Sequence, residues 1–156
     1  DISEYDLQKI ILAAQEKANA RGVSQFKCQD IMSKHVVSLN EQEDIHSALD
    51  KFKQMNLMSL PVSNAEQQLV GTLALYEVVE WFQKATDLRT SWQDQVKHIM
   101  KRQVVTVQPD QELQDLIPYF VERSFTYIPV VENKALVGII SRADMIAALY
   151  RLLQHR

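Results

Sequence analysis

Apolar and polar positions along the chain follow two different periods, and each period predicts a different kind of element. Short runs rich in β-branched side chains at residues 36–39 and 104–107 predict strands. Apolar side chains at helical spacing predict an amphipathic helix after each of these strands. The first helix carries Ile45, Ala48, Leu49, Phe52 and Met55, and the second carries Leu113, Leu116, Ile117, Phe120 and Val121.

Two more strands and a closing helix are predicted downstream of each amphipathic helix. The strands cover residues 59–62, 69–73, 127–131 and 136–140, and the closing helices cover residues 75–82 and 142–153. Each half of the chain is therefore expected to be a β-α-β-β-α unit. Pro118 lies inside the first helix of the second unit, where its missing N–H is expected to kink or shorten that helix.

The same motifs occur twice in the same order. They match at a nearly constant offset: Asp30-Ile31-Met32 with His98-Ile99-Met100, Leu60-Pro61-Val62 with Ile128-Pro129-Val130, and Leu69-Val70-Gly71 with Leu136-Val137-Gly138. An internal repeat of this kind indicates a duplicated structural unit. We predict repeats over residues 27–83 and 96–156, joined by a polar linker over residues 84–95 in which Trp92 anchors the chain.

Residues 1–26 are predicted to form an accessory helix and its lead-in. Ser3 followed by Asp6 is typical of a helix start, and Gly22 is typical of a helix end. The apolar stripe of this helix comprises Leu7, Ile10, Ile11, Ala14 and Ala18. The chain begins at Asp1 without a Met, which suggests a piece of a longer protein.

Composition excludes several classes of protein. The net charge of −3 comes without any run of Lys or Arg, so nucleic acid is not expected as the main partner. The longest apolar runs are far shorter than the ~20 residues of a membrane span. No signal peptide is visible, and the single Cys28 allows no internal disulfide, so we expect a reducing, cytoplasmic location.

The duplicated β-α-β-β-α unit resembles the CBS domain (named for cystathionine β-synthase), whose tandem pair is called a Bateman module. The resemblance runs from about residue 28 to residue 153. It is carried by the repeated motifs and by the stretch Val137-Gly138-Ile139-Ile140-Ser141-Arg142-Ala143-Asp144. It implies an α/β (α+β) fold of two repeats related by a pseudo-twofold, with two chains pairing into a homodimer through their helices.

The resemblance also implies a function. CBS pairs are non-catalytic regulatory modules that sense an adenosyl nucleotide (AMP, ADP, ATP or S-adenosylmethionine) in the cleft between the repeats, and they signal to an attached or partner protein. No other cofactor is expected. The capped helix that runs into Phe26-Lys27-Cys28-Gln29-Asp30-Ile31-Met32-Ser33 is similar to the segment that enters the CBS pair of HPP-type integral membrane proteins. This similarity implies the cytosolic region of a membrane protein. The alternative function is a ligand-free dimerisation scaffold.

The main ligand site is expected where a strand ends and a helix begins at Ser141. A helix start offers free N–H groups and partial positive charge to a phosphate, while Asp144 can accept hydrogen bonds from both ribose hydroxyls. Arg142, with Arg123 and Lys101, is a candidate partner for phosphate charge. The resemblance assigns the adenine contacts to Met32, His35, Val37 and Met58, with Ile139 nearby. The competing interpretation is that Ser141 and Asp144 only form a capping box.

The corresponding site in the first repeat departs from the family pattern. Ala74 stands in place of Ser141, and Glu77 stands in place of Asp144. By resemblance this site would also draw on Met100, Val105, Thr126 and Tyr127. We expect it to bind poorly, to bind another ligand or to stay empty, so that each chain binds one nucleotide.

No other motif indicates chemistry. Cys28, His35, His46 and His98 lack the close paired spacing of a zinc site, so no metal is expected. The chain has only three glycines and no Gly-rich phosphate loop. No arrangement of a nucleophile with a base stands out, so the chain is not expected to be an enzyme.

Overall fold

A computed structural model of the protein describes residues 26–87 and 92–154, together with Tyr5, Lys9, Leu12, Ala13 and Glu16. These five N-terminal residues are helical, and Lys9 Nζ lies 4.5 Å from the centroid of the Tyr5 ring. Ser3, Asp6, Gly22 and the predicted apolar stripe lie outside the described residues. No helix in the described part is long and apolar enough to cross a bilayer.

The described elements confirm the mixed helix and strand class. In chain order they are α1 (Cys28–Ile31), β1 (Leu39–Asn40), α2 (Ile45–Met55), β2 (Ser59–Ser63), β3 (Leu69–Ala74), α3 (Leu75–Lys84), 3-10 helices at Val96–His98 and Leu113–Leu116, α4 (Ile117–Val121), β4 (Tyr127–Glu132), β5 (Ala135–Ser141) and α5 (Arg142–Gln154). The strands form two sheets, ordered β1-β2-β3 and β4-β5.

The first strand of each repeat is shorter than the sequence predicts. The parallel ladder of β1 pairs Leu39 with Val62 and Asn40 with Ser63. It cannot extend toward residue 36, because the next bond would need an N–H from Pro61. The predicted strand over residues 36–39 is therefore wrong except at Leu39.

Prolines shorten the corresponding strand of the second repeat to a single bridge. Val107 N–H donates to the Pro129 carbonyl at 3.1 Å, and Val131 N–H donates to the Val107 carbonyl at 2.8 Å. The next bond on one side would need an N–H from Pro129, and on the other side from Pro109. The predicted strand over residues 104–107 is wrong for this reason.

The chain forms two compact units whose boundaries differ from those of the sequence repeats. In the described part, unit 1 contains residues 26–35, 106–132 and 137–154, and unit 2 contains residues 36–87, 92–105 and 133–136. Each unit therefore combines the leader of one repeat, which is the segment ahead of its first strand (residues 26–35 in the first repeat and 96–105 in the second), with the helices of the other repeat. The repeat boundaries at 27–83 and 96–156 stay a prediction.

Unit 2 is built on the sheet β1-β2-β3 and on helices α2 and α3. Asp44 Oδ1 accepts a hydrogen bond from Ser47 N–H at 2.8 Å and starts α2, and Asn56 ends it in a left-handed conformation. Trp92 contacts Phe82, with ring centroids 4.9 Å apart, which confirms its role as an anchor. The buried core comprises Leu39, Ile45, Ala48, Phe52, Leu60, Val62, Leu73, Val78, Val96 and Met100.

Unit 1 contains the shortened helix that Pro118 predicts. The α-helix α4 begins at Ile117, because Pro118 has no N–H to donate to a carbonyl one turn earlier. The preceding turn is the 3-10 helix Leu113–Leu116.

The core of unit 1 includes the single cysteine of the chain. Burial raises the pKa of the Cys28 thiol to about 11, so this thiol stays protonated. The buried core comprises Cys28, Val107, Leu113, Leu116, Ile117, Phe120, Ile128, Val130, Ile140, Met145, Ala148 and Leu149.

Gly71 and Gly138 occupy equivalent positions against the two leaders, but they are not expected to tolerate alanine equally. A methyl group on Gly71 would lie 2.6 Å from the backbone oxygen of Lys101, whereas one on Gly138 would lie 2.5 Å from the Met32 sulfur. The Lys101 oxygen is held by Thr72 N–H at 2.9 Å, while a Met sulfur can rotate away.

We therefore expect Gly71→Ala to lower the free energy of unfolding by about 1–3 kcal/mol, and Gly138→Ala to lower it less. Urea denaturation of the two variants and the wild type, with equal m-values, measures the difference. Equal losses in both variants would contradict the distinction between backbone and side-chain contact.

Candidate functional site at the start of helix α5

Helix α5 begins where β5 ends, and two side chains of the predicted main site hold this junction. Asp144 Oδ2 accepts a hydrogen bond from Ser141 N–H at 2.8 Å. Ser141 Oγ accepts one from Asp144 N–H at 3.1 Å. The two residues thus form a reciprocal capping box, as the competing interpretation predicts. Each group keeps further capacity, because the Ser141 hydroxyl still has a proton to donate and Asp144 has a second carboxylate oxygen.

Arg142 lies at the same junction and is tied to the rest of unit 1. Its N–H donates to the Thr126 carbonyl at 3.0 Å, and its Nη2 donates to the Phe120 carbonyl at 3.4 Å. Its Nε is buried and has no hydrogen-bond partner among the residues that the structure describes. The guanidinium therefore lies at the end of α4, where it faces the Phe120 carbonyl oxygen.

The leader of the first repeat packs beside this helix start. Ser33 and Ile139 exchange two backbone hydrogen bonds of 2.9 Å each, and Met32 covers Gly138. His35 is exposed. Unit 1 therefore holds six of the predicted main-site residues, which are Met32, His35, Ile139, Ser141, Arg142 and Asp144.

A cavity of about 120 Å³ lies between α1 and α5. It is lined by Asp30, Ile31, Asp144, Ala147, Ala148 and Arg151. Typical small-molecule pockets measure roughly 300–1,000 Å³, so this cavity is too small for a whole nucleotide.

Unit 2 contains an equivalent helix start with different side chains. Leu75 N–H donates to the Met58 carbonyl at 2.8 Å, as Arg142 N–H does to Thr126 in unit 1. Glu77 Oε2 accepts a hydrogen bond from Ala74 N–H at 2.9 Å. Since the methyl group of Ala74 accepts nothing in return, only half of a capping box forms.

The carboxylate of Glu77 is also paired with a cation. Lys101 Nζ lies 3.1 Å from Glu77 Oε1 and donates to the Tyr76 hydroxyl at 2.8 Å. The Tyr76 hydroxyl in turn donates to Glu77 Oε1 at 3.3 Å. The hydrogen bond to Tyr76 and the pairing with Glu77 raise the pKa of Lys101, so it stays charged. Lys101, a candidate partner for phosphate charge, is thus paired with a carboxylate, and its role toward phosphate stays a prediction.

The remaining predicted site residues are divided between the units. Val37 packs against the core of unit 2, and Met58 in the same unit is 70% exposed. Met100, Val105, Ala74 and Glu77 of the second predicted site also belong to unit 2, whereas Thr126 and Tyr127 belong to unit 1.

Sequence reasoning missed Ser33 and Tyr76 as neighbours of the two helix starts. The repeat alignment contained a usable signal, because it places Ser33 opposite Lys101. What it could not show is that each leader pairs with a strand of the other repeat.

Comparisons with known proteins identify the repeated unit. A family model described as CBS domain matches residues 28–84 and 96–151. Uncharacterized protein MJ1225 of Methanocaldococcus jannaschii is 30% identical over 121 residues, which are 78% of this chain and 42% of that protein. The chain thus spans less than half of the length of this relative.

Two solved structures have the same fold and contain adenosyl compounds. The structure of CBSX2 in complex with AMP has a TM-score of 0.72 and 20% identity, covering 83% of this chain and 99% of that one. The CBS domain pair of protein MJ0100, in complex with 5′-methylthioadenosine and S-adenosyl-L-methionine, has a TM-score of 0.64 and 21% identity. The similarity to MJ0100 covers 82% of this chain and 98% of the MJ0100 chain.

Proposed function

The chain belongs to the CBS-domain family, and from that premise we propose that it is a non-catalytic sensor of an adenosyl nucleotide. The ligand would bind at the start of α5 and would be AMP, ADP, ATP or S-adenosylmethionine. The observation that carries the proposal is that Ser141 and Asp144, at a strand-to-helix junction, keep a hydroxyl proton and a carboxylate oxygen that their mutual hydrogen bonds do not use. The ligands of CBSX2 and MJ0100 support this ligand class.

The capping box at the start of α5 is compatible with ligand binding. In a helix of 13 residues the first N–H groups and the helix dipole favour a phosphate or carboxylate. The Ser141 hydroxyl can donate to the same anion while it accepts from Asp144 N–H. The second oxygen of Asp144 can accept hydrogen bonds from ribose hydroxyls, and its charge strengthens those bonds.

A second candidate function is a ligand-free dimerisation scaffold. The reciprocal bonds between Ser141 and Asp144 favour it, because they give both side chains a structural role without any ligand. Exposed apolar side chains on the helices, such as Tyr76, Val79 and Tyr150, fit the pairing of two chains in either function.

The sensor requires something to receive its signal. We propose an attached or partner domain, since relatives such as MJ1225 extend well beyond the region that this chain matches. A ligand shifts such an equilibrium only by its different affinity for the two states, so the receiver must distinguish them.

Thermal denaturation with AMP, ADP, ATP and S-adenosylmethionine tests the proposed function. A ligand at 100 times its dissociation constant stabilises the native state by about 2.7 kcal/mol, which corresponds to roughly 5–10 °C for a chain of this length. We expect such a shift with at least one of the four compounds. A melting temperature that none of them changes would overturn the sensor and favour the scaffold.

A further inference from the structure

The starts of helices α3 and α5 have the same backbone arrangement and different polar side chains. In unit 1 Ser33 pairs with Ile139, and in unit 2 Lys101 pairs with Thr72, each through two backbone hydrogen bonds of 2.9 Å. Four positions around the helix starts can therefore be compared directly. They are Ser33 with Lys101, Ser141 with Ala74, Ala143 with Tyr76, and Asp144 with Glu77.

Both carboxylate oxygens of Glu77 are already used inside unit 2. Oε2 accepts from Ala74 N–H, while Oε1 faces Lys101 Nζ at 3.1 Å and the Tyr76 hydroxyl at 3.3 Å. The side chain of Glu77 is only 8% exposed, whereas that of Lys101 is 59% exposed. The buried carboxylate thus has a cation supplied by its own chain, and Tyr76 links the two.

Asp144 lies in different surroundings from Glu77. In the part of the chain that the structure describes, no Lys, Arg or His lies within ion-pair distance of its carboxylate. The position equivalent to Lys101 is Ser33, which carries no charge, and the position equivalent to Tyr76 is Ala143. Within the described residues, the negative charge and one oxygen of Asp144 are therefore available to a ligand.

We propose that Lys101 and Tyr76 close the helix start of α3 to adenosyl nucleotides by occupying the carboxylate of Glu77. This inference rests on the proposed function, and it makes Lys101 a specificity-determining residue. A ribose at this position would have to displace Lys101 from a carboxylate that has little access to water. Ligand binding is therefore confined to the start of α5, with one nucleotide per chain.

The test replaces the four compared side chains around the start of α3 with those at the equivalent positions around the start of α5. The variant Ala74→Ser, Tyr76→Ala, Glu77→Asp, Lys101→Ser is titrated by isothermal calorimetry with AMP and with S-adenosylmethionine, alongside the wild type. We expect the stoichiometry to rise from one ligand per chain to two. The single variant Lys101→Ser, at an exposed position, is expected to add a second and weaker event, and Lys101→Arg is expected to add none.

The outcomes separate this inference from the proposed function. If the wild type binds one ligand per chain and neither the fourfold variant nor Lys101→Ser binds a second, this inference is overturned. The proposed function then stays intact. Two ligands in the wild type would also overturn this inference. No binding by any of these proteins would overturn the proposed function itself. A melting curve of each variant shows whether it is folded, and the single variant serves if the fourfold variant is not.

Discussion

Replacing Asp144 with Asn is expected to weaken binding of the adenosyl nucleotide by about 10- to 100-fold. Hydrogen bonds to a charged group contribute roughly 1.5–3 kcal/mol, against roughly 0.5–1.5 kcal/mol between neutral groups, and a ribose offers two hydroxyls. The amide oxygen of Asn can still accept from Ser141 N–H, so the start of α5 keeps its cap. The change therefore removes charge with little effect on the fold.

The chain offers a matched control for this variant. Glu77 caps α3 through Ala74 N–H at 2.9 Å, much as Asp144 caps α5 at 2.8 Å. Glu77→Gln makes the same chemical change at the helix start that we infer to be closed, and it is expected to leave nucleotide affinity unchanged. Calorimetric titration of both variants with the compound that shifts the melting temperature measures the contrast. Equal affinities in Asp144→Asn and wild type would show that Asp144 is only a helix cap.

Replacing Phe120 with Ala is expected to lower the free energy of unfolding by about 3–5 kcal/mol. Phe120 is 1% exposed and is among the largest side chains in the core of unit 1. It belongs to α4, which has only five residues and gains little from its own hydrogen bonds. The helix therefore depends on the packing of its two buried side chains, Ile117 and Phe120, of which Phe120 is the larger.

Urea denaturation at neutral pH measures the loss in Phe120→Ala, and Phe120→Leu provides a smaller change if the alanine variant is too unstable. Tyr150→Ala is the control, since this aromatic residue of α5 is 57% exposed and its removal should change stability by less than about 0.5 kcal/mol. A loss below about 1.5 kcal/mol in Phe120→Ala would mean that unit 1 repacks around the missing ring.

The contact between Arg142 and Phe120 suggests how the helix start of α5 is connected to the core. The Arg142 guanidinium reaches the Phe120 carbonyl, so the end of α4 and the proposed ligand site share one side chain. Sequence reasoning assigned Arg142 to phosphate charge, which stays a prediction. Its observed contact shows that the same residue has a structural role in the described chain.

Local patterns were enough to predict most of the fold. The apolar positions at helical spacing run from Ile45 to Met55, which are the first and last residues of α2. They could be found in the sequence because the buried side chains of this helix recur with the helical period. Pro118 likewise predicted a shortened helix, since the loss of an N–H is a property of the residue itself. The repeat and the family resemblance follow from the same local signals.

The first strands failed as predictions because a strand depends on its partner. Residues 36–38 and 104–106 have suitable side chains, but their pairing needs N–H groups that Pro61 and Pro129 cannot supply. The prolines were visible in the sequence. Their effect became clear only when the parallel register placed them opposite these residues.

The sequence by itself determined that this is a duplicated α+β protein with a candidate adenosyl site at Ser141 and Asp144. The tertiary structure decided which residues surround each helix start. It paired the leader at Ser33 with β5, and it placed Lys101 on Glu77. The physical reason is that periodicity and capping are interactions between near neighbours along the chain. An ion pair or a strand pairing between distant segments depends on how the chain folds back on itself.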